Sequence, residues 1–336
     1  MKAVGYRQSL PIDDPAALED VTLDTPAPGP RDLLVKVQAV AVNPVDTKIR
    51  LSAAPEQGGI KILGWDAVGV VEAVGDAVTL FRPGDAVWYA GDVSRQGCNA
   101  EYQCVDERIV GRKPENLSAA DAAAMPLTTV TAWELLFDRL GVLPGRGQGK
   151  TLLVIGAGGG VGSVLVQLAR QLTGLTVIGT ASRDATRDWV LSLGAHKVID
   201  HTRPLTEGLA QVGIEEVDYV ASLTHTDAHV DEIVAALRPQ GRLGLIDDPM
   251  ALDVRKFKRK SISLHWEFMY TRSLFQTDDQ IRQHRILMKA ADLVEQGVVR
   301  STATEHYGAI NAENLRRAHA LMESHQARGK VVLEGF

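Results

Sequence analysis

Five glycines within residues 156–162 are the feature of the sequence with the clearest chemical use. Residues without a β-carbon permit a tight turn, and they let a phosphate approach backbone N–H groups at the start of a helix, where the dipole favours an anion. The strict spacing Gly-x-Gly-x-x-Gly fails from Gly156, because its last position falls on Val161. A frame starting at Ala157 fits better and predicts a dinucleotide pyrophosphate site, the alternative being a structural turn. The predicted contacts are Ala157, Gly159, Gly160, Val161 and Gly162.

The segment after the next strand bears on which dinucleotide binds. Enzymes that use NAD place an acidic residue about 20 positions beyond the glycine turn, where it binds the ribose hydroxyls. Here that strand is followed by Ser182 and Arg183, with Arg187 four residues further on. A hydroxyl and guanidinium groups suit a 2′-phosphate, which predicts NADPH. Asp184 is either a helix N-cap or an acid near the ribose, and it leaves NADH as the alternative.

Alternating strands and helices are expected to position both segments. From about residue 127, apolar runs alternate with amphipathic helices, which indicates a parallel sheet covered on both faces. The predicted strands are residues 152–155, 176–180, 197–199, 217–222, 242–246 and 261–268, and the predicted helices are 130–140, 161–172, 187–193 and 229–237. The glycine turn then joins the first strand to its helix, where ligands bind in such sheets.

The rest of the sequence does not show this alternation of strands and helices. Residues 1–125 are β-rich, with apolar runs at 33–42, 67–74 and 85–90 between turn clusters, and Ser118 is expected to cap a short helix before Pro126. The carboxyl-terminal part predicts helices at 280–296 and 315–324 and a strand at 330–334, and residues 255–260 are expected to form a solvated loop. A chain of 336 residues is longer than a single hydrophobic core usually supports, so two domains are expected.

Composition excludes several classes of protein. Lysine and arginine total 36 and aspartate and glutamate 42, a formal charge of −6 without a basic block, which argues against binding nucleic acid or an anionic membrane. The uncharged residues 151–169 approach the length of a membrane span, but their glycines favour a strand, a turn and a helix. Two cysteines and no apolar amino-terminal segment favour the reducing cytoplasm.

The histidines argue against a zinc site in the amino-terminal half. All nine lie at or beyond His196, and the spacing of Cys98 and Cys104 matches no metal-ligand pattern. His225 and His229 are four residues apart, but no glutamate lies between them, and we expect ordinary loop and helix-start histidines. No metal ligand is therefore predicted.

Several ordered motifs resemble the medium-chain dehydrogenase/reductase superfamily over essentially the whole chain, in particular its quinone oxidoreductase branch and the zinc-type alcohol dehydrogenase-like group. They lie at residues 42–48, 63–69, 81–87, 126–134 and 329–334. The resemblance implies an α/β fold with a β-rich GroES-like catalytic domain at 1–125 and a Rossmann cofactor domain, a doubly wound parallel sheet, at 126–271. It further implies that residues 272–336 return to the catalytic domain.

The departures from this family concern zinc. Zinc-dependent relatives place a cysteine where this chain has Asn43, a His-Glu pair where it has Trp65 and Asp66, and a further cysteine near Thr128. Without a Lewis acid, alcohol oxidation is difficult, whereas reduction of a quinone or an α,β-unsaturated carbonyl needs less help. The prediction is a zinc-independent NADPH oxidoreductase acting on such acceptors. The alternatives are a zinc-dependent alcohol dehydrogenase or carbonyl reductase, and a low-turnover NADPH-binding regulator.

The resemblance also implies roles for individual residues. Asn43 and Asp46 either bind substrate or fix the turn at Pro44. Trp65 either lines the substrate pocket or packs in the core. The loops at 52–60, 90–96 and 269–277 are expected to shape the pocket. Strand 261–268 is expected to pair across the axis of a homodimer. The other implied catalytic residues are Thr128 and Tyr89. The other implied cofactor contacts are Thr129, His201, Leu223, Thr224, His225, Ile246, Asp247, Phe268, Met269 and Lys330, the last being alternatively solvated.

Overall fold

The computed structural model describes residues 1–55 and 58–336. Glu56 and Gln57, in the loop 52–60 that we expect to shape the pocket, lie outside the described residues. The chain divides into two compact units, which we call unit 1 (Met1–Val130 with Tyr270–Phe336) and unit 2 (Thr131–Met269). Unit 1 is therefore built from two separate stretches of the sequence.

The first 130 residues form short strands and helices of unit 1. The strands are β1 (Lys2–Tyr6), β2 (Glu19–Thr22), β3 (Asp32–Val42), β4 (Lys61–Ile62), β5 (Ala67–Val74), β6 (Ala86–Tyr89), β7 (Tyr102–Asp106) and β8 (Val110–Arg112). The helices are α1 (Pro44–Ser52), α2 (Ala119–Ala123) and α3 (Pro126–Trp133), the last of which continues into unit 2, with 3₁₀ turns at Pro15–Ala17 and Glu107–Ile109. As predicted, Ser118 caps α2, its hydroxyl accepting the Asp121 N–H at 3.0 Å.

Unit 2 is a parallel sheet with helices between its strands. The strands are β9 (Thr151–Ile155), β10 (Thr176–Thr180), β11 (Lys197–Ile199), β12 (Val217–Ser222), β13 (Leu237–Leu245) and β14 (Ser263–Trp266). The helices are α4 (Gly160–Leu172), α5 (Asp184–Ser192), α6 (Leu205–Gln211) and α7 (Thr226–Ala236). The strand order β11-β10-β9-β12-β13-β14, with every pairing parallel, confirms the predicted doubly wound sheet. The order reverses between β9 and β12, the place where such sheets bind ligands.

The carboxyl-terminal segment completes the main sheet of unit 1. Its elements are α8 (Thr271–Leu274), α9 (Ile281–Glu295), β15 (Ala303–His306), α10 (Ala312–Glu323) and β16 (Lys330–Glu334). The sheet order is β15-β16-β3-β5-β6-β8, with β7 also paired to β3. Because β16 runs antiparallel to β3, with Val331 opposite Val42, the first residue of β16 lies beside the end of β3.

The central strands of unit 2 are buried on both faces. Leu153, Ile178, Val220, Leu243 and Leu245 are fully enclosed in one apolar cluster. Burial on two faces explains why these strands read as continuous apolar runs without polar alternation. The apolar runs are thus the sequence signal that specifies this sheet.

Several local predictions differ from the structure. The helix predicted for 130–140 becomes a π-helix at Glu134–Arg139, and α6 was missed. Residues 255–260 are not a solvated loop but part of a 3₁₀ helix, Val254–Lys260, which buries Phe257. Lys260 there donates from Nζ to the carbonyls of Ala235 and Leu237. Ser261 follows with a φ of +50°, so β14 begins only at Ser263.

Candidate functional site

Gly156 makes the turn at the end of β9. Its φ is +80°, a conformation that glycine adopts without strain, and its N–H donates to Thr180 Oγ1 at 3.2 Å. A Cβ at Gly156 would lie 3.1 Å from Thr224 Cγ2, so the turn and the loop after β12 approach closely. Our predicted frame placed Ala157 first and omitted Gly156. The position directly after the strand was the signal for it.

Helix α4 begins at Gly160, and its first turn is shaped by close backbone contacts. A Cβ at Gly162 would lie 2.4 Å from Gly156 O and 2.6 Å from Ala157 Cα, which leaves no room for one. At Gly159 the nearest atom to such a Cβ is Gly156 O at 3.5 Å. The first N–H groups of a helix have no intrahelical acceptor, so Gly160 and its neighbours present donors beside an open, side-chain-free face. The residues present fit a dinucleotide pyrophosphate.

The segment after β10 exposes the predicted phosphate ligands. Ser182, Arg183 and Arg187 are all exposed, and the Arg187 N–H donates to Arg183 O at 2.9 Å. Arg183 takes the N-cap position of α5, and Asp184 is the first helical residue. The interpretation of Asp184 as the N-cap is therefore wrong.

Three histidines, which we call the histidine cluster, lie at the same edge of the sheet: His201, His225 and His229. His201 follows β11, His225 takes the N-cap position of α7 with a φ of +52°, and His229 is one turn further on. The His201 and His229 rings meet edge to face, with their centroids 6.4 Å apart. In the described part of the chain, no three or more histidine, cysteine or acidic residues are placed to hold a metal.

The ends of β12 and β13 carry the other predicted cofactor contacts in unit 2. Asp247 accepts the Thr226 N–H at 2.8 Å and the Thr226 hydroxyl at 2.5 Å, so its side chain holds the start of α7. Thr224 Oγ1 lies 2.6 Å from His225 Nδ1. Two backbone donors of this edge are therefore occupied, the Thr226 N–H by Asp247 and the Leu223 N–H by Ile155 O at 3.1 Å. Leu223 and Ile246 are half-buried there, Phe268 is exposed and Met269 is buried.

Four buried residues of unit 1, which we call the Lys330 cluster, form its polar centre: Asn43, Asp46, Asp66 and Lys330. Lys330 Nζ donates to Val42 O at 2.8 Å, to Asn43 Oδ1 at 2.5 Å and to Asp66 Oδ2 at 3.0 Å. Asn43 Nδ2 donates to Asp66 Oδ2 at 2.8 Å, and the Leu127 N–H donates to Asp66 Oδ1 at 2.8 Å. Lys330 and Asp66 thus neutralise each other, as burial requires, whereas Asp46 Oδ1 is buried without a hydrogen-bond partner among the described residues.

These contacts change two predictions. Lys330 is neither solvated nor available to a cofactor phosphate or ribose, because its three N–H groups are all used within unit 1. Asn43 and Asp46 fix the turn at Pro44: the Asn43 N–H donates to Asp46 Oδ2 at 2.6 Å, which caps α1. The register of β16 on β3 brings Lys330 to this turn.

The donor set in unit 1 does not fit a zinc ion. At the positions where zinc-dependent relatives carry ligands, this chain has the Asn43 amide, the Asp66 carboxylate already paired with an ammonium, and Trp65, whose Nε1 donates to Asp92 O at 3.0 Å. Zinc prefers thiolate, imidazole and carboxylate ligands. The ammonium of Lys330 supplies the positive charge here.

Asp46 titrates near neutrality. Burial raises the pKa of Asp46 to about 7 and the nearby Asp66 adds to the rise, although the Asn43 N–H and Lys330 oppose it. Burial also raises the pKa of Asp66, against Lys330 and the Leu127 N–H. In the folded protein Asp46 therefore keeps its proton to a higher pH than an exposed aspartate does.

Replacing Asp46 by asparagine is expected to change how stability depends on pH. An unfolded aspartate has a pKa of about 3.9, so between about pH 4 and 7 the folded state binds the extra proton. This contribution to stability is full below pH 4 and is lost as the pH rises through 7. From pH 5 to pH 8, Asp46→Asn should gain about 3 kcal/mol relative to the wild type in urea unfolding. The exposed Asp13→Asn is the control; a variant difference independent of pH would contradict the assignment.

The remaining predicted residues of unit 1 are buried hydroxyls. Both Thr128 and Thr129 lie inside α3, where Thr128 Oγ1 donates to Met125 O at 3.0 Å. Thr129 Oγ1 and Tyr89 Oη are buried and have no hydrogen-bond partner among the described residues. Sequence reasoning missed Tyr270, which is buried in unit 1, where burial and nearby carboxylates including Asp46 raise its pKa well above the usual value.

Comparisons with known proteins identify the family. The alcohol dehydrogenase GroES-like domain model matches residues 29–115, and the zinc-binding dehydrogenase model matches residues 193–333. The zinc-type alcohol dehydrogenase-like protein of Staphylococcus epidermidis is 39% identical over 336 residues, 99% of each chain. The chain belongs to the zinc-type alcohol dehydrogenase-like proteins of the medium-chain dehydrogenase/reductase superfamily. It is thus an oxidoreductase with the nicotinamide-binding fold of that family.

Two solved structures and one further relative extend the comparison. A Rhizobium etli CFN 42 protein named as a zinc-dependent alcohol dehydrogenase is 55% identical, with a TM-score of 0.97 over 100% of this chain and 98% of that one. The quinone oxidoreductase of Coxiella burnetii is 26% identical, with a TM-score of 0.81 over 100% and 99%. The 2-methylene-furan-3-one reductase of Solanum lycopersicum is 36% identical over 60% of this chain and 50% of its own. None of the helices in residues 1–55 and 58–336 is both long and apolar enough to cross a membrane.

Proposed function

We propose that this zinc-type alcohol dehydrogenase-like protein is a zinc-independent, NADPH-dependent oxidoreductase that reduces quinones or α,β-unsaturated carbonyl compounds. The observation that carries the proposal is the Lys330 cluster, in which a paired ammonium, an amide and a carboxylate occupy the centre of unit 1. Such a centre has no open coordination position for an alkoxide. It suits acceptors whose own conjugation spreads the charge.

The cofactor part of the proposal rests on unit 2. The glycine turn and the start of α4 would hold the pyrophosphate, and the exposed Ser182, Arg183 and Arg187 would bind a 2′-phosphate. When bound, NADPH supplies the hydride. The backbone at Leu223, Thr224 and Ile246, at the ends of β12 and β13, would orient the nicotinamide half.

The substrate part rests on the buried hydroxyls of unit 1. A hydroxyl that donates to a carbonyl oxygen stabilises the negative charge that develops there as hydride adds to the conjugated carbon. Thr129 and Tyr89 have such hydroxyls without a partner in the described part of the protein. The tomato relative, whose name describes reduction of a ketone conjugated to a methylene group, favours this class of acceptor.

Asp46 is proposed to supply the proton. Hydride addition brings two electrons and one hydrogen, so one proton must still reach the reduced acceptor. A carboxyl with a pKa of about 7 both holds and gives up a proton at neutral pH, and solvent then restores it. This role is compatible with the cap that Asp46 provides for α1.

Oxidation of NADPH by chelator-treated protein, with an ortho-quinone or an enone as acceptor, tests the proposal. We expect saturable loss of near-ultraviolet absorbance that survives chelation, and a decrease of about tenfold in kcat/KM for Thr129→Val, the loss of one hydrogen bond. The exposed Thr22→Val is the matched control. Activity that chelation abolishes would favour the zinc-dependent alternative, and tight NADPH binding without turnover would favour the regulatory one.

We also propose a homodimer that forms through β14 and acts in the cytoplasm. β14 is the edge strand of the unit 2 sheet, and Trp266 within it is 52% exposed. An apolar strand edge with unpaired backbone groups favours pairing with a second copy. Both cysteines are free thiols, as a reducing compartment favours. Sedimentation at micromolar concentration measures the assembly, and a monomer would contradict this part.

A further inference from the structure

Unit 1 contains a cavity of about 150 Å³ beside β7. Its walls come from β7, the 3₁₀ turn Glu107–Ile109, the loop after β6 and the segment between α8 and α9. Among the described residues, the side chains that line it are other than those of the Lys330 cluster. A cavity of this volume holds one molecule of about the size of benzene. It therefore lies outside the site described above and has room for a small ligand.

Two buried carboxamides on the wall of this cavity have unused hydrogen-bonding atoms. Gln280 is 2% exposed, and neither its Oε1 nor its Nε2 has a hydrogen-bond partner in the described part of the chain. Gln103 is 5% exposed, and its Nε2 donates to Gln96 O at 2.9 Å, whereas its Oε1 has no partner among the same residues. A buried amide without hydrogen bonds costs free energy, so these atoms gain from a ligand that bonds them.

The backbone holds both carboxamides at the cavity, whereas their planes can still turn. Gln103 lies within β7 opposite Val35 of β3, and the Gln280 N–H donates to Thr277 O at 3.0 Å at the start of α9. The last torsion of a glutamine side chain is broad, because it joins a tetrahedral carbon to a planar group. A turn about this torsion brings the enclosed oxygen and nitrogen of Gln280 to a molecule in the cavity.

The charged side chains of the lining already have partners. Arg95 donates two hydrogen bonds to Asp32, at 2.8 and 2.7 Å, and these bonds raise the pKa of Arg95, to which Asp92 adds. Asp106 accepts two hydrogen bonds from the Arg108 guanidinium, at 2.9 and 2.6 Å. The charges of the lining are therefore largely balanced, and the unused hydrogen-bonding capacity belongs to neutral amides. A neutral ligand is favoured, because a charged one would lose its water without an equal gain.

We propose that this cavity binds a small neutral primary carboxamide. The amide of Gln280 presents an acceptor and a donor side by side, and the N–H and C=O of a ligand carboxamide complement them as a cyclic pair. The second N–H of the ligand is then available to Gln103 Oε1. Val105 and Ile109 are buried apolar residues of the lining, and they suit the hydrocarbon part of the ligand. The inference is independent of the proposed function, because it concerns binding to unit 1 alone.

Protection of the Cys104 thiol by benzamide tests this inference without turnover. Cys104 is half-buried on the cavity wall, whereas Cys98 is fully buried, so a small thiosulfonate reagent distinguishes the two thiols. Burial raises the pKa of Cys104 to about 11, which makes its conversion to a mixed disulfide slow enough to time by peptide mass spectrometry. We expect benzamide to slow this reaction, with half-protection on the order of 1 mM. Acetophenone, which has the same shape without N–H groups, should need about tenfold more.

Gln280→Met removes the donor and the acceptor with little change in side-chain size. It should raise the half-protecting concentration of benzamide about tenfold and leave that of acetophenone unchanged. The buried amide that it replaces has no partner in the free protein, so the melting temperature should be unchanged or higher, which also shows that the variant is folded. Gln8→Met, at an exposed position of unit 1, is the matched control and should behave as the wild type does.

Each of the other outcomes overturns the inference. Equal protection of the wild-type protein by benzamide and acetophenone would mean that only the apolar wall binds, and this comparison does not depend on any variant. Benzamide that binds in a calorimetric titration without slowing the modification of Cys104 would occupy another site. Full protection of Gln280→Met would remove Gln280 from the site. If neither compound protects Cys104, the cavity holds only water.

Discussion

Lys330→Met is expected to destabilise unit 1 by about 3–5 kcal/mol. Asp66 is fully buried, and the substitution removes its ammonium partner while leaving the carboxylate without water. The carboxamide of Asn43 loses its donor at the same time. Because burial already raises the pKa of Asp66 and Asp46, protonation relieves part of the cost, so the destabilisation should shrink as the pH falls from 8 to 5.

Chemical unfolding of three variants tests this expectation. Lys36→Met, at an exposed position of β3, controls for the loss of one positive charge in the same sheet. Asp66→Asn combined with Lys330→Met should be more stable than Lys330→Met alone at pH 8, because an amide leaves no buried charge and still accepts the Leu127 N–H. If Lys330→Met matched Lys36→Met, the cluster would not contribute to stability in this way.

Gly162→Ala is expected to impair unit 2 and its cofactor site together. The new methyl would lie 2.4 Å from Gly156 O and 2.6 Å from Ala157 Cα. Both are backbone atoms, which cannot relieve the clash by changing a side-chain rotamer. Such overpacking costs about 1–3 kcal/mol. The turn must open to admit the methyl, which moves the first N–H groups of α4. We expect the dissociation constant for NADPH to rise about 100-fold.

Gly159→Ala is the matched control within the same turn. Its φ is −76°, and the added methyl would meet nothing nearer than Gly156 O at 3.5 Å, so thermal stability should be unchanged or slightly improved. Its NADPH affinity, measured by fluorescence titration, reports separately whether the pyrophosphate passes over Gly159. Equal melting temperatures for the two variants would show that Gly162 is not confined as the structure indicates.

Local signals predicted much of unit 2. Apolar runs separated by helices specify its strands, and the glycines of the turn lie where a backbone must curve without side chains. The π-helix at Glu134–Arg139 was not predictable, because the same residues suit an ordinary helix until Leu140 donates its N–H to Leu135 O, five positions back. The shortened β14 has a similar cause, the φ of +50° at Ser261.

The Lys330 cluster was not predictable from local pattern. Its ion pair joins residues 264 positions apart in the sequence. The pairing depends on the register of β16 against β3, which sets Val331 opposite Val42. A lysine at the start of a terminal strand reads equally well as a solvated residue or as a phosphate ligand. Only the sheet order shows that it neutralises a carboxylate from the other end of the chain.

The place of β16 between β15 and β3 also bears on how the protein is made. The ribosome completes β3 and Asp66 early, but about 200 residues separate Val130 from Lys330. At a synthesis rate of roughly 5–20 residues per second, about 10–40 s pass before β16 and Lys330, the counter-ion of Asp66, are synthesised. Unit 2 is continuous in sequence and is synthesised within that interval. We therefore expect unit 2 to fold first and the main sheet of unit 1 to be completed last, after β16 has been synthesised.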